Sequence, residues 1–262
     1  MRIHHLNCGS LHPIGGGLVC HCLLVETDGG LVLVDTGFGH GDIAEPALRL
    51  GPSRHLIKPA LDASETAASQ VEALGFARAD VRHIVVTHFD IDHIGGLSDF
   101  PDAQVHTTAA EVLGAITAPN GSERRRFRSA QWAHGPKLVE HTPTGEPWRG
   151  FAAAKELTEI ADGIALVALP GHTRGHAAVA VDRGDRWILH AGDAFYHPAS
   201  VGDPGTAPWT LRLMETVVAF DRKQVADNHQ RLAELRNRKD PELLVVCAHD
   251  PGLLDLARST AL

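Results

Sequence analysis

Short apolar runs recur along the chain, and most of them lead directly into polar or glycine-rich segments. Runs that are rich in β-branched residues and bounded by turn residues predict buried β-strands. Strands are therefore predicted at residues 18–26, 31–35, 84–86, 164–169, 177–181, 187–190 and 243–247. Apolar positions at helical spacing predict helices at residues 64–74, 108–116 and 211–236. Because helices separate strands in both halves and no long linker divides the chain, we predict one layered α/β domain over residues 1–262.

The first two predicted strands are joined by the segment Thr27-Asp28-Gly29-Gly30. Asp-Gly and Gly-Gly pairs supply the positive φ that a tight turn needs, so we expect residues 18–35 to form a β-hairpin. The glycines in residues 37–41 lack the spacing of a dinucleotide-binding fingerprint, which indicates a tight loop. Asp35, at the end of a buried strand, is placed to orient a metal-binding side chain.

The densest chemical signal lies directly after the apolar run at 84–86, in residues 87–96. This stretch contains four side chains able to bind a metal, which are His88, Asp90, Asp92 and His93. Alternate residues of an extended chain share one face, and a following turn brings in the last two. Two His and two Asp at this spacing are typical of a metal-binding loop rather than of surface polar residues at a strand end.

Three later strands are also followed by residues that can bind a metal, namely His172, Asp193 and His249. Loops that follow buried strands converge on one edge of an α/β fold, so these residues are expected to meet the loop at 87–96. His176 has the spacing of a ligand as well, but we interpret it as a histidine that supports the ligands or the core.

Composition and net charge disfavour several classes of function and partner. Hydrophobic residues make up 44% and charged residues 21% of the 262 residues, as in ordinary soluble proteins, and the 18 His suit metal chemistry. The net charge of −8 disfavours nucleic acid and anionic membranes as partners. No apolar run resembles a signal peptide or a membrane span, so we expect a cytoplasmic protein. The four cysteines form no Cys-x-x-Cys pair and are expected to be reduced packing side chains.

Residues 117–151 form the least regular segment. Its basic run at 123–128 is interpreted as a solvated helix face rather than as a grip for an acidic substrate. Trp132, Trp148 and Phe151 fit the lid of a pocket and packing beneath a long loop equally well.

Taken together, these motifs resemble those of the metallo-β-lactamase superfamily. The resemblance rests on Thr-His-x-x-x-Asp-His-x-Gly-Gly at 87–96, Gly-His-Thr-x-Gly-His at 171–176, Gly-Asp at 192–193 and Ala-His-Asp at 248–250. It covers nearly the whole chain. It implies a four-layer αβ/βα sandwich of two related halves, with a two-metal site along one edge.

The resemblance also implies a ligand set for each ion. One ion would take His88, Asp90 and His172, the other would take Asp92, His93 and His249, and Asp193 would bridge both together with a hydroxide. The family's usual pattern is His-x-His-x-Asp-His, and here Asp90 stands at the second His. Two divalent ions, three carboxylates and a hydroxide then sum to zero charge, which predicts a weaker Lewis acid. We therefore expect two divalent ions per chain, zinc as first choice, with Mn or Fe favoured by the added oxygen ligand.

Tyr196 is the single tyrosine and lies three residues after Asp193. The same Asp-Ala-x-Tyr arrangement occurs in the N-acyl homoserine lactone lactonases of the superfamily, where the Tyr is placed to contact the carbonyl side of the substrate. Two roles stay open for Tyr196, which are a hydrogen-bond donor to a developing oxyanion and a packed side chain. Asp92 is the expected carrier of a proton to the leaving group.

The resemblance implies a metal-dependent hydrolase. We expect it to act on a carboxylic ester, with lactone ring opening by a metal-bridging hydroxide as first choice. A glyoxalase-II-like thioesterase and a phosphotriesterase are alternatives, and a diiron redox protein is the non-hydrolytic one, because flavodiiron proteins also place an acidic residue at the second motif position. The expected partner is a small-molecule ester or lactone, without nucleic acid or membrane, and a homodimer is left open.

Overall fold

Two β-sheets form the centre of the fold in the computed structural model, which describes residues 1–145 and 147–260. The strands of the first sheet, in their order across it, are β1 (Arg2–Leu11), β2 (Leu18–Thr27), β3 (Gly30–Val34), β4 (Val81–Val85), β5 (Gln104–Thr108) and β6 (Lys137–His141). Those of the second sheet are β7 (Ala154–Glu156), β8 (Ile164–Ala168), β9 (Ala177–Asp182), β10 (Trp187–His190) and β11 (Leu243–Val246).

Strand direction brings the carboxyl ends of several strands to one edge of each sheet. Strands β1 to β3 pair antiparallel and include the predicted hairpin, whereas β3 to β6 pair parallel. In the second sheet β8 and β9 pair antiparallel, as do β9 and β10, while β10 and β11 pair parallel. Strands β8, β10 and β11 therefore run in one direction, and the chain leaves all three at the same edge.

The helices lie on the outer faces of the sheets and along their edges. They are α1 (His40–Ala44), α2 (Pro46–Arg49), α3 (Arg54–Ile57), α4 (Ala67–Ala73), α5 (Ala109–Val112), α6 (Gly121–Arg126), α7 (Trp209–Val218), α8 (Arg222–Asn237) and α9 (Pro251–Ser259). A π-helical turn, Leu113–Thr117, continues α5. None of the helices in the described ranges has the length and apolarity needed to cross a lipid bilayer.

The core lies between the two sheets and beneath the helices. Leu23 of the first sheet and Leu166 of the second belong to one apolar cluster, to which α8 contributes Leu232. A second cluster on the other face of the first sheet joins Ile84 to Val71 of α4. Burial of one such side chain contributes about 1.5–3 kcal/mol. With helices outside and two sheets inside, the predicted four-layer αβ/βα sandwich of the metallo-β-lactamase fold is confirmed.

The apolar pattern misses the strands β1, β5, β6 and β7 and the helices α1, α2, α3, α6 and α9. Polar side chains are frequent in β1 and β6, including Asn7 and Lys137, so neither shows a continuous apolar run. The predicted helix at 211–236 is two helices, because the Asp221 side chain accepts N–H bonds from Lys223 and Gln224 and begins α8. The period of the pattern identifies an element, but a single capping side chain decides where it ends.

The predicted cysteine state is consistent with the structure, since Cys8, Cys20, Cys22 and Cys247 are all buried and free. The prediction of one domain over 1–262 stays a prediction. Residue 146, within the segment 117–151, and residues 261 and 262, at the end of the range, lie outside the described residues.

A buried ion pair fixes the first sheet's edge loops to each other. Arg49 Nε donates to Asp42 Oδ1 over 2.8 Å, and its two terminal nitrogens donate to the carbonyls of Ala130 (3.0 Å) and Gly95 (2.9 Å). Asp42 also accepts the backbone N–H of Gly39, and both side chains are buried. Arg49 therefore holds the end of the loop at residues 87–96, at Gly95, against α1 and the segment after α6.

We expect Arg49→Met to lower the free energy of unfolding by about 3–5 kcal/mol, because it leaves the Asp42 carboxylate buried without its cation. Urea denaturation followed by circular dichroism measures the change. Arg78→Met is the matched control, since its pair with Glu72 is exposed and should contribute little. Equal stabilities for the two variants would contradict the structural role of Arg49.

Candidate metal centre

The loop after β4 carries the predicted ligands in a tight turn. The backbone N–H groups of His93 and Ile94 both bond to the carbonyl of Asp90, at 3.0 and 3.3 Å. This turn brings the rings of His88 and His93 to a centroid distance of 3.9 Å. The strand-then-turn arrangement predicted from the spacing is therefore present, and the loop projects its side chains from the sheet edge.

The loops after β8, β10 and β11 supply the remaining predicted residues. His172, Asp193 and His249 follow those strands and are nearly fully buried. Gly192 precedes Asp193 with a φ of +53°, and a Cβ there would lie 2.7 Å from His176 Nε2. Glycine is required at this position because the backbone turns in the left-handed region and passes close to an imidazole ring.

Two groups of donor atoms share the carboxylate of Asp193. The first position, as named here, is formed by His88, Asp90 and His172, and the second position by Asp92, His93 and His249. At the second position, Asp193 Oδ1 lies 3.2 Å from His93 Nε2 and 3.1 Å from His249 Nε2. Asp92 Oδ2 lies 3.5 Å from His249 Nε2. Ligand atoms of one metal ion are separated by distances of this order, since each lies about 2 Å from the ion.

At the first position the distances are similar. Asp90 Oδ2 lies 3.0 Å from His172 Nε2 and 3.4 Å from His88 Nε2. Asp193 Oδ2 lies 3.4 Å from His172 Nε2 and 3.8 Å from His88 Nε2. The structure therefore brings together all seven residues that the sequence predicts as ligands. Their role as ligands stays a prediction.

Unpaired buried atoms test whether these residues fit a metal ion. Within the described residues, His88 Nε2, His93 Nε2 and Asp193 Oδ1 are buried and have no hydrogen-bond partner. A buried polar atom without a partner is costly unless a ligand satisfies it. His93 Nδ1 bonds to Asp35 and His249 Nδ1 to the Val19 carbonyl, both at 2.8 Å, which directs each Nε2 lone pair inward. The second position therefore fits a divalent ion, and His88 Nε2 is the unpaired donor at the first position.

Electrostatics at the second position also favours a cation. Burial lowers the pKa of His249, but Asp193 and Asp92 raise it to about 9. Burial also lowers the pKa of His93, but Asp193 and Asp35 raise it well above its ordinary value. Burial raises the pKa of Asp92, and so do the nearby carboxylates Asp193 and Asp90. Carboxylates concentrated in a buried place stabilise any positive charge there, whether a proton or a metal ion.

Arg126 is the residue of the site that the sequence analysis misses. It is the last residue of α6 and forms two parallel bonds to Asp90, from Nε to Oδ1 and from Nη2 to Oδ2, both 2.6 Å long. Glu123 in the same run is buried and bound to Arg174. The interpretation of 123–128 as a solvated helix face is therefore wrong for these two side chains. The zero-charge sum for the site is also incomplete, because Arg126 adds one positive charge.

Two further buried residues, Asp35 and His176, hold the predicted ligands in place. Asp35, at a φ of +56°, accepts bonds from the Thr87 hydroxyl and backbone N–H and from His93, as its position after β3 suggests. His176 donates from Nδ1 to the Leu169 carbonyl and accepts the backbone N–H of Asp193 at Nε2, each at 3.0 Å. Its interpretation as a supporting histidine agrees with these contacts, because neither nitrogen is left for a metal.

Glu111 of α5 connects the two halves of the site. Its carboxylate accepts the backbone N–H of Phe89 at 2.9 Å, the hydroxyl of Thr173 at 2.6 Å and the N–H of Gly175 at 3.0 Å. It thereby links the loop that carries His88 to the loop that carries His172. The helical pattern at 108–116 gives no sign of this role, because an isolated Glu in a helix usually faces solvent.

The site opens into a cavity of about 490 Å³. Tyr196 lines it, with its ring centroid 5.3 Å from that of His249. None of the described residues forms a hydrogen bond with the Tyr196 hydroxyl, and burial and then Asp193 raise the pKa of this group well above its ordinary value. The hydroxyl is therefore a protonated, free donor. Cys20, expected only to pack, has its sulfur within 4.8 Å of ligand atoms of Asp92 and His249.

The three aromatic residues of the irregular segment pack elsewhere. Trp132 contacts Phe89, Trp148 contacts Trp187, and Phe151 is buried in the core between the sheets. None of them is among the described residues that line the cavity. Of the two interpretations, packing is the one that the structure supports.

Comparison with known proteins identifies the family. The model of the metallo-beta-lactamase superfamily matches residues 15–249. A probable metallo-hydrolase of Mycobacterium tuberculosis (strain ATCC 25618 / H37Rv) is 59% identical over 261 residues, which cover 100% of this chain and 84% of that protein. The N-acyl homoserine lactonase AiiA of Bacillus thuringiensis subsp. kurstaki is 22% identical over 233 residues, 85% of this chain and 86% of that one.

Solved structures share the same fold. An N-acyl homoserine lactone hydrolase, with the product N-hexanoyl-L-homoserine bound at its catalytic metal center, matches with a TM-score of 0.70 and 19% identity, over 97% of this chain and 95% of that chain. At this identity the likeness concerns the fold. The family match, the close relative and the cluster of His and Asp donors lead to one conclusion: this chain belongs to the metallo-β-lactamase superfamily and is a metal-dependent hydrolase.

Proposed function

We propose that the protein hydrolyses carboxylic esters, with lactones as the preferred substrates. The observation that carries the proposal is the free Tyr196 hydroxyl, which lines the same cavity as Asp92, Asp193 and His249. A proton donor that faces a set of metal-binding side chains suits attack on a carbonyl, because negative charge develops on the carbonyl oxygen.

A divalent ion at the second position would be held by His93, Asp193 and His249, with Asp92 beside them, and zinc is the first choice. When bound, it would supply Lewis-acid polarisation and lower the pKa of water. The sequence predicts a second ion at the first position. That ion would need His172 Nε2 and Asp90, which Arg126 contacts.

Two residues of the protein perform the remaining steps, one as a hydrogen-bond donor and the other as a carrier of the proton. Tyr196 donates a hydrogen bond to the carbonyl oxygen as that oxygen gains negative charge. Asp92, whose pKa is raised by burial and by Asp193, accepts a proton from the attacking water and returns it to the leaving alkoxide oxygen. In a lactone the leaving oxygen stays attached to the acyl group, so both ends of the product remain in the cavity.

The walls of the cavity favour an ester with an apolar tail. Leu56 of α3 and Met214, Val217 and Phe220 in and after α7 line it, and Leu56 and Val217 are more than half exposed. An alkyl chain would cover this surface and gain about 0.8 kcal/mol for each buried CH₂. Relatives named N-acyl homoserine lactonases add support for an acylated lactone.

We expect metal-reconstituted protein to hydrolyse N-acyl homoserine lactones and simple γ- and δ-lactones, and Asp193→Ala to abolish this turnover. The panel also contains S-lactoylglutathione, p-nitrophenyl esters and paraoxon, with activity followed by pH indicator or absorbance. Turnover restricted to the thioester or to paraoxon would contradict the lactone assignment and favour the corresponding alternative. A coloured, redox-active iron centre without hydrolysis would favour the diiron protein.

Tyr196→Phe should lower kcat for lactones by about 10²-fold with little change in KM, because it removes one donor to the oxyanion. Metal content and thermal unfolding of the variant serve as controls, since the change removes a hydroxyl that none of the described residues binds. An unchanged kcat would assign Tyr196 to packing.

Val217→Glu should raise KM for long-chain acyl lactones by about 10-fold and leave short-chain substrates nearly unaffected, because it places a charge on the apolar wall. Leu213→Glu is the matched control, since Leu213 lies one turn earlier on α7, is 53% exposed and is not among the described residues that line the cavity. Equal effects of the two substitutions would show that the acyl chain of the substrate does not bind along this wall.

A further inference from the structure

Among the cations of residues 1–145 and 147–260, Arg126 is the one that reaches the donor atoms of the site. Its Nη2 lies 2.6 Å from Asp90 Oδ2 and 2.7 Å from His172 Nε2. Its Nη1 donates to the backbone carbonyls of His172, at 2.9 Å, and Val218, at 2.5 Å. With Nε bound to Asp90 Oδ1, every nitrogen of the guanidinium is engaged. The group is therefore fixed in place and has no donor left for a substrate.

The bond to His172 decides what the first position can hold. A neutral imidazole nitrogen has one lone pair in the ring plane, and it either accepts a hydrogen bond or binds a metal. His172 Nε2 uses that lone pair for Arg126 Nη2. A metal ion at the first position would have to displace this bond and compete for Asp90, both of whose oxygens are bound by the same guanidinium.

Charge balance leads to the same result. Asp90, Asp92 and Asp193 contribute three negative charges, which one divalent ion and Arg126 neutralise completely. A second divalent ion, together with the bridging hydroxide, would leave one positive charge in excess, and uncompensated buried charge is costly. The lone pair count and the charge count are independent, and both oppose a second ion while Arg126 stays in place. Of the three residues at the first position, His88 is the one that Arg126 does not bind.

We propose that the Arg126 guanidinium takes the place of the first metal ion, so that the protein binds a single divalent ion at His93, Asp193 and His249. This inference goes beyond the proposed reaction and holds for any ester. Asp90 is then a positioning residue for Arg126 rather than a metal ligand. Its identity fits this role, because a carboxylate accepts two parallel N–H bonds from arginine and an imidazole cannot.

The proposal is tested by measuring the number of metal ions bound per chain. Metal-free protein is equilibrated with excess Zn²⁺, desalted, and measured by elemental analysis and native mass spectrometry. We expect about one ion per wild-type chain and about two in Arg126→Gln, since the substitution frees His172 and Asp90. Arg125→Gln is the matched control, because Arg125 is the preceding residue, also lines the cavity, and should leave the count at about one.

Each outcome is decisive. Two ions in the wild-type chain would overturn the proposal, as would a single ion in a folded Arg126→Gln variant, with folding checked by circular dichroism. If that variant does not fold, the wild-type count decides. A wild-type chain that binds no ion would overturn both the inference and the proposed metal-dependent reaction. One bound ion without lactone turnover would overturn only the proposed substrate.

Discussion

The constraint on which the site depends is the concentration of three carboxylates, the buried Asp193 and the half-buried Asp90 and Asp92, at the edge of an apolar sandwich. Each would cost several kcal/mol if left uncompensated. The surrounding groups therefore have to supply positive charge. The raised pKa values of His93 and His249, the bidentate bond from Arg126 and the fit of the second position to a divalent ion all answer this requirement.

Buried polar residues away from the donor atoms make this concentration of charge possible. Asp35 and Glu111 accept backbone N–H groups of the metal-binding loop, and His176 accepts the N–H of Asp193. These bonds join loops that are distant in the sequence and leave each ligand atom little freedom. A site that is preorganised in this way loses little entropy when it binds an ion, which raises affinity.

The cavity has this polar base and apolar walls, and the two together favour one kind of substrate. Tyr196 presents a protonated hydroxyl beside Asp193, while α7 supplies aliphatic side chains above it. A substrate with a reactive carbonyl and an apolar tail would satisfy both parts. Arg126 does not take part in substrate contact, because its donors are used within the protein. With a single ion bound as proposed, the effect of Arg126 on catalysis is on the number of ions and the net charge of the site.

The fold class and the seven residues that meet at the site can be predicted from the sequence, because strand-terminal motifs such as His88 to His93 are local in the chain and their loops must converge. Tertiary structure alone decided which partner each of them has. The contact of Arg126 with Asp90 spans 36 positions, and Glu111 joins loops that no periodic pattern connects. A helical Arg or Glu has the same local pattern whether it faces solvent or a buried charge. Only the packing of α5 and α6 against the sheet edge distinguishes the two cases.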